Sequence, residues 1–157
     1  MCYNSNKGDT MKKLLLLVSV SLLLAVTNAS AEEWVTPSKE VCTKNGGELS
    51  RSGTCYANLN DAKRICINMD AILPTLEDLQ HVLDSCGGKF DDYNMHKDDP
   101  AFQTCSKKKG FDVSRHYWSS SEGQAPGYTM AVRFANGYDY MSKNDKTNSV
   151  HCMKSKK

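Results

Sequence analysis

The sequence predicts a small, disulfide-stabilised α+β domain, two short helices packed on a small antiparallel sheet with a long loop region. Three observations predict it. Apolar residues recur at helical spacing in two stretches between Ala62 and Leu83, and the large ones recur with a period of two from Tyr128 to Phe134. Six cysteines, an even number, stand between Cys42 and Cys152. An N-terminal leader precedes all of them.

The leader begins with Lys12 and Lys13, continues through an apolar run from Leu14 to Val26, and ends in Ala29-Ser30-Ala31. This is the pattern of a secretory signal peptide cleaved before Glu32, with Met11 the better start. Residues 1–31 are thus read as an upstream extension and a cleaved signal peptide, leaving no transmembrane anchor. The run is shorter than the ~20 residues of a membrane span. Three of the 20 basic and one of the 18 acidic residues lie before residue 32, which leaves 17 against 17. A chain with no net charge gives a nucleic-acid partner no electrostatic support. The cysteine count points to an oxidising compartment, periplasmic or extracellular, including the cell surface. No C-x-x-C occurs, so neither a zinc ribbon nor a thioredoxin-type pair is encoded.

Residues 32–41 read as a lead-in made extended by Pro37, and the stretch between Cys42 and Cys55, rich in turn formers, as a small hairpin or loop. Asn60 is a candidate cap for a helix over residues 61–69, with Ala62, Ile65, Cys66 and Met69 on one face. Thr75, with Asp78 three residues on, caps a second helix that carries Leu76, Leu79, Val82 and Leu83 and stops at Gly87-Gly88. Residues 87–116 show no sustained periodicity and read as a long loop. Beyond it, Tyr117-Trp118 opens a strand, followed by three serines read as turn formers. Tyr128, Met130, Val132 and Phe134 alternate with Thr129, Ala131, Arg133 and Ala135, and Asn136-Gly137 predicts a hairpin turn with positive φ at both residues. Tyr138 to Met141 returns, and Val150 to Met153 closes the sheet.

The spacing Cys42-x12-Cys55-Tyr56, Ala62-x3-Cys66 and a last-strand Cys152 resembles the C-type-lectin-like framework. Leu73-Pro74-Thr75-x2-Asp78-Leu79, Tyr117-Trp118-Ser119-Ser120-Ser121-Glu122 and Asn144-x2-Thr147-Asn148-Ser149-Val150-x-Cys152 resemble the bacterial family named for the C-terminal domain of a collagen-like adhesin (Lcl). That family is distantly related in fold to the formylglycine-generating enzymes. The resemblance spans residues 55–154; Ile72 departs from it, standing where the family has Arg. It implies a C-type-lectin-like domain over residues 42–157 and bridges Cys42–Cys55, Cys66–Cys152 and Cys86–Cys105. Spacing alone allows 15 connectivities.

Catalytic motifs are missing from the sequence. Gly-x-Ser-x-Gly does not occur, and His81, His96, His116 and His151 have no metal-ligand spacing. The acidic group Asp91, Asp92, Asn94, Asp98 and Asp99 lacks the EF-hand pattern and reads as a solvated loop, so no metal and no cofactor is expected. The candidate ligand-binding residues are Tyr93, His96, Lys97, Lys107, Lys108, Lys109, Arg115 and His116 in or beside the long loop, extended by Arg133 and Tyr140. Basic groups pair with anionic sugars and aromatic rings stack on sugar faces. The expectation is a non-enzymatic, adhesin-like domain that recognises a surface glycan or an envelope protein. The alternatives are a structural subunit of an envelope or fimbrial assembly and, more remotely, a formylglycine-generating-type oxidase.

Overall fold

The computed structural model describes residues 33–90 and 95–154. The leader, Asp91, Asp92, Asn94 and the candidate Tyr93 lie outside the described residues. In chain order the first elements are β1 (Trp34–Val35), α1 (Lys39–Lys44), β2 (Glu48–Leu49), β3 (Cys55–Ala57), α2 (Leu59–Ile67), β4 (Ala71–Ile72) and α3 (Leu76–Ser85). A 3-10 turn (His96–Asp98), α4 (Pro100–Lys108), β5 (His116–Glu122), β6 (Tyr128–Arg133), β7 (Tyr138–Lys143), β8 (Asn148–Ser149) and β9 (Cys152–Lys154) follow. The described chain is therefore α+β, with four α-helices where two were expected.

Local chemistry starts and stops these helices. The Thr75 hydroxyl accepts from the Asp78 N–H while the Asp78 carboxylate accepts from the Thr75 N–H, a complete capping box on α3. At its other end Gly87, at φ 83°, lets its own N–H reach the Asp84 carbonyl and the Gly88 N–H reach that of Leu83. Asn58, not Asn60, caps α2: it sits in extended backbone and accepts from the Asp61 N–H at 3.0 Å, so the helix begins two residues early. The lead-in is not extended throughout either, because Ser38 caps α1 and places Cys42 on a helix.

The long-loop reading of residues 87–116 is corrected by α4. Asp99 accepts from the Ala101 N–H and Pro100 occupies the first helical position, an ordinary helix start. Only Phe102 and Ser106 of this helix are buried, too few apolar positions to produce a visible period.

Six strands form one sheet in the order β2-β3-β8-β5-β6-β7, antiparallel except where β5 meets β8; β1, β9 and β4 form a second sheet. Of the expected closing strand Val150–Met153 only Cys152 and Met153 are strand, in β9 of the second sheet, while β8 of the first sheet ends just before it at Ser149. Tyr117 lies opposite Val132 and Trp118 opposite Ala131. Successive residues point to opposite faces, so these pairs feed two cores. Trp118 and Ala131 pack with Leu59, Ala62, Ile65 and Cys66 of α2; Tyr117, Val132 and Phe134 pack with Leu79, Val82 and Leu83 of α3 and Phe102 of α4. Burying each large side chain contributes about 1.5–3 kcal/mol. Both faces of the sheet are covered, so Thr129 and Ala131 of β6 are buried as well as Val132.

The serines after Trp118 are strand residues. The Ser119 hydroxyl donates to the Met130 carbonyl, and the Ser121 hydroxyl accepts from the Leu76 N–H, tying β5 to the start of α3. The β6–β7 connection also differs from expectation. Arg133 pairs with Tyr138, so the loop has four residues, Phe134–Gly137, and only Gly137 has positive φ. Phe134 is fully buried in the second core, and a Cβ on Gly137 would overlap the Lys89 carbonyl oxygen. Packing against Lys89 and Phe90, with the Lys97 N–H bonded to the Ala135 carbonyl, therefore determines the turn.

Candidate ligand-binding cleft

The bridges Cys42–Cys55, Cys66–Cys152 and Cys86–Cys105 are all formed, with Cα separations of 5.9, 5.5 and 5.4 Å. The pairing is the one the family resemblance implies. Cys42–Cys55 fastens the β2–β3 hairpin to α1, and Cys86–Cys105 fastens α4 to the end of α3. Both clamped segments wall one cleft.

The hairpin turn is built from hydroxyl residues. The Gly53 N–H donates to the Ser50 carbonyl at φ 84°, and Ser50, Ser52 and Thr54 link their side chains in a row. Opposite it, α4 ends at Lys108, and Gly110, at φ 86°, turns the chain so that Phe111 enters the second core. A cleft of about 600 Å³ lies between. Phe111 and Val113 supply its apolar lining, while Thr36, Ser52, Thr54, Gln103, Lys107 and Asp112 present polar groups.

Asp112 is the cleft's fixed carboxylate. Burial alone would raise its pKa, but hydrogen bonds from the Ser114 hydroxyl and N–H, with Arg115, hold it below the usual carboxylate range. Arg115 donates to Asp112 at 3.2 Å and to the Ser52 hydroxyl at 3.2 Å, and lies 5.5 Å from the Tyr56 ring centre. It braces the hairpin to the 112–115 segment behind the cleft wall. Burial by itself would lower the guanidinium's pKa; the bond to Asp112 reverses this and raises it.

A smaller recess of about 180 Å³, sharing Thr36, Ser52, Thr54 and Gly110 with the cleft, reaches His151. This ring is buried, stacks on Trp34 with centres 5.7 Å apart, and bonds the Lys109 carbonyl through Nε2 at 3.0 Å. Burial pushes its pKa down to about 4, although the carbonyl opposes the shift. The folded chain then holds His151 neutral at pH values where the unfolded chain, near 6.5, already binds a proton. Stability is complete above pH 6.5 and falls as pH drops towards 4, by roughly 3 kcal/mol from this residue. Urea unfolding of wild type and His151→Phe from pH 7.5 to 4 checks this. Wild type is expected to lose roughly 3 kcal/mol more than the variant over that window; an equal loss in both would contradict it.

The remaining candidate residues hydrogen-bond in separate sets. His116 Nδ1 lies 2.8 Å from the Tyr140 hydroxyl, which donates to Asn148 at 3.0 Å; Asn148 in turn donates to Ser142. Burial, then the nearby Arg133, lowers the pKa of His116, and burial raises that of Tyr140. Arg133 is exposed and sits opposite His116 across β5 and β6. His96 bonds the Lys89 backbone through Nε2, and Lys97 donates its N–H to the Ala135 carbonyl, so these two residues support the β6–β7 loop. Lys107 reaches the cleft, Lys108 is exposed on α4, and Lys109 holds His151 through its backbone. Sequence reasoning selected Lys107 and Arg115 but missed Thr36, Ser52, Thr54, Gln103 and Asp112. The only signal for them is the Ser/Thr-rich Ser50–Thr54 stretch.

Among the described residues, no three His, Cys, Asp or Glu side chains converge as a metal site, and no helix is long and apolar enough to cross a membrane. Comparison of the chain with family models and with curated proteins returned no match.

Proposed function

We propose that this chain is an exported recognition domain of the C-type-lectin-like, Lcl-related kind, binding a surface glycan or envelope protein in adhesin fashion and without a chemical step. The observation that carries the reading is the cleft between the two disulfide-clamped walls. Around an apolar lining it sets hydroxyls, a carboxamide, an ionised carboxylate and an ammonium group, the donor and acceptor mix that orients a polyhydroxylated ligand. Lys107 adds a cation for a carboxylate or sulfate on such a sugar. Cross-linked walls reduce the ordering cost of binding, because the cleft needs no assembly when the ligand arrives. The three disulfides and the leader pattern fit a periplasmic or extracellular setting.

The test is a glycan array probed with the full-length expressed protein, with and without calcium, beside Lys107→Glu and Gln103→Ala. Binding to acidic glycans that falls about tenfold in Lys107→Glu, the ~1.4 kcal/mol of one charge-assisted contact, supports the reading. Silence in both conditions contradicts it. If silence comes with stoichiometric co-purification of one envelope protein, the structural-subunit reading replaces it.

A further inference from the structure

Among the described residues, β7 is one of the two edge strands of the six-stranded sheet, opposite β2, and hydrogen-bonds on one side only, to β6. It is six residues long and carries two of the exposed large apolar side chains, Tyr138 (42%) and Met141 (44%). An edge of this length, neither shortened nor bulged nor covered by another described strand or helix, is a template for another strand.

The ladder shows which groups the edge offers. The Phe134 N–H donates to the Arg115 carbonyl and the Gly123 N–H to the Tyr128 carbonyl, so even-numbered residues of β6 turn their backbone towards β5. Odd-numbered ones then face β7. At the far end the Asn144 N–H donates to the Gly127 carbonyl, which agrees. Within β7, Tyr138, Tyr140 and Ser142 therefore bond β6, while Asp139, Met141 and Lys143 direct N–H and C=O outward.

We infer that β7 pairs antiparallel with β7 of a second copy of this chain, about a two-fold axis through Met141, joining the two sheets edge to edge. Of the registers that match outward residues with outward residues, this one pairs all three. It sets Asp139 opposite Lys143 of the second copy, Met141 opposite Met141, and Lys143 opposite Asp139. The strand is thus self-complementary in charge as well as in hydrogen bonding, as an isologous contact requires. Met130 lies beside Met141 across β6 and β7, so both copies together form a four-methionine band on one face of the joint sheet. The contact is small, which places the dimer in the micromolar range. It lies on β7, whereas the proposed cleft is walled by the β2–β3 hairpin and α4, so the two readings stand or fall separately.

Sedimentation equilibrium of the full-length expressed protein at low salt, from about 1 μM to about 1 mM, tests it. Wild type is expected to dimerise. Asp139→Lys and Lys143→Asp, each placing like charges opposite one another twice, are expected to weaken the dimer about tenfold. The double variant Asp139→Lys with Lys143→Asp restores the pairing and the affinity. Met141→Pro, which removes an outward N–H and leaves the β6 ladder intact, abolishes dimerisation. Circular dichroism confirms that each variant is folded. A wild type that stays monomeric at every concentration overturns the inference and leaves the edge for a strand of another protein. A dimer indifferent to these substitutions, or one the double swap does not restore, overturns it equally.

Discussion

Replacing Cys66 and Cys152 together by alanine is expected to lower stability by about 4–5 kcal/mol. The bridge spans 86 residues, linking α2 to β9, and its loss frees a large part of the described chain in the unfolded state. Both sulfurs are fully buried between α2 and β9, so the bridge also joins the helix to the second sheet, where β9 is the central strand. The Cys86–Cys105 bridge closes a span of only 19 residues, and its removal in Cys86→Ala with Cys105→Ala is expected to cost about 3 kcal/mol. Urea unfolding followed by circular dichroism ranks the two. A domain of this size has about 5–15 kcal/mol in total, so the first variant is expected to be partly unfolded at 37 °C. If both pairs cost the same, or the shorter one costs more, chain entropy is not what these bridges contribute.

Trp118→Ala is the single substitution with the largest expected effect. The indole is fully buried on the α2 face of the sheet, and its Nε1–H donates to the Ala57 carbonyl at 2.8 Å, joining β5 to β3. Truncation leaves a cavity and a buried carbonyl without its partner, at about 3–5 kcal/mol for the first and about 1 more for the second. Trp118→Phe separates the two contributions. It keeps most of the packing and loses the hydrogen bond, so a cost of about 1–3 kcal/mol is expected from the same urea titration. A Phe variant as damaged as the Ala variant would place the importance of Trp118 in its hydrogen bond instead of its volume.

What the sequence made legible, and what it hid, follows from how local each determinant is. The cap of α3 and its glycine stop are chemistry among near neighbours, so Thr75, Asp78, Gly87 and Gly88 marked that helix correctly. The amphipathic face of α2 was equally visible, but two asparagines compete for its cap, and the reciprocal bonds with Asp61, three residues on, select Asn58 by the same local chemistry that starts α3. Helix α4 was hidden because Phe102 is its one large buried side chain; the rest of its anchoring comes through Cys105 and the disulfide. The strand β6 was found from its period of two, but that period carries no sign that α2 and α3 cover opposite faces of the sheet and that both sets of its side chains meet a core. Gly137 was recognised as a turn residue, but the turn itself is shaped by Lys89, Lys97 and the burial of Phe134.

The candidate site was less legible than the fold. Choosing residues by charge and aromaticity selected Lys107, which reaches the cleft, and Arg115, which braces its wall. It also selected His116, Tyr140 and His96, whose side-chain polar atoms are engaged in internal hydrogen bonds, and Lys97, whose backbone supports the β6–β7 loop. The cleft's hydroxyls come from Thr36, Ser52 and Thr54, and its carboxamide and carboxylate from Gln103 and Asp112. Segments this far apart meet through the tertiary fold, where the Cys42–Cys55 and Cys86–Cys105 bridges and the Arg115–Ser52 hydrogen bond help to hold the hairpin and α4 in place. No local pattern encodes such a meeting.

The central claim is that three disulfides hold this domain and its cleft together. Peptide mapping of the protein, alkylated while denatured but unreduced, tests it most directly. The account predicts cross-linked peptides for Cys42–Cys55, Cys66–Cys152 and Cys86–Cys105 and no alkylation at these six positions. Alkylated cysteines among them, or peptides joined in another pattern, would contradict it.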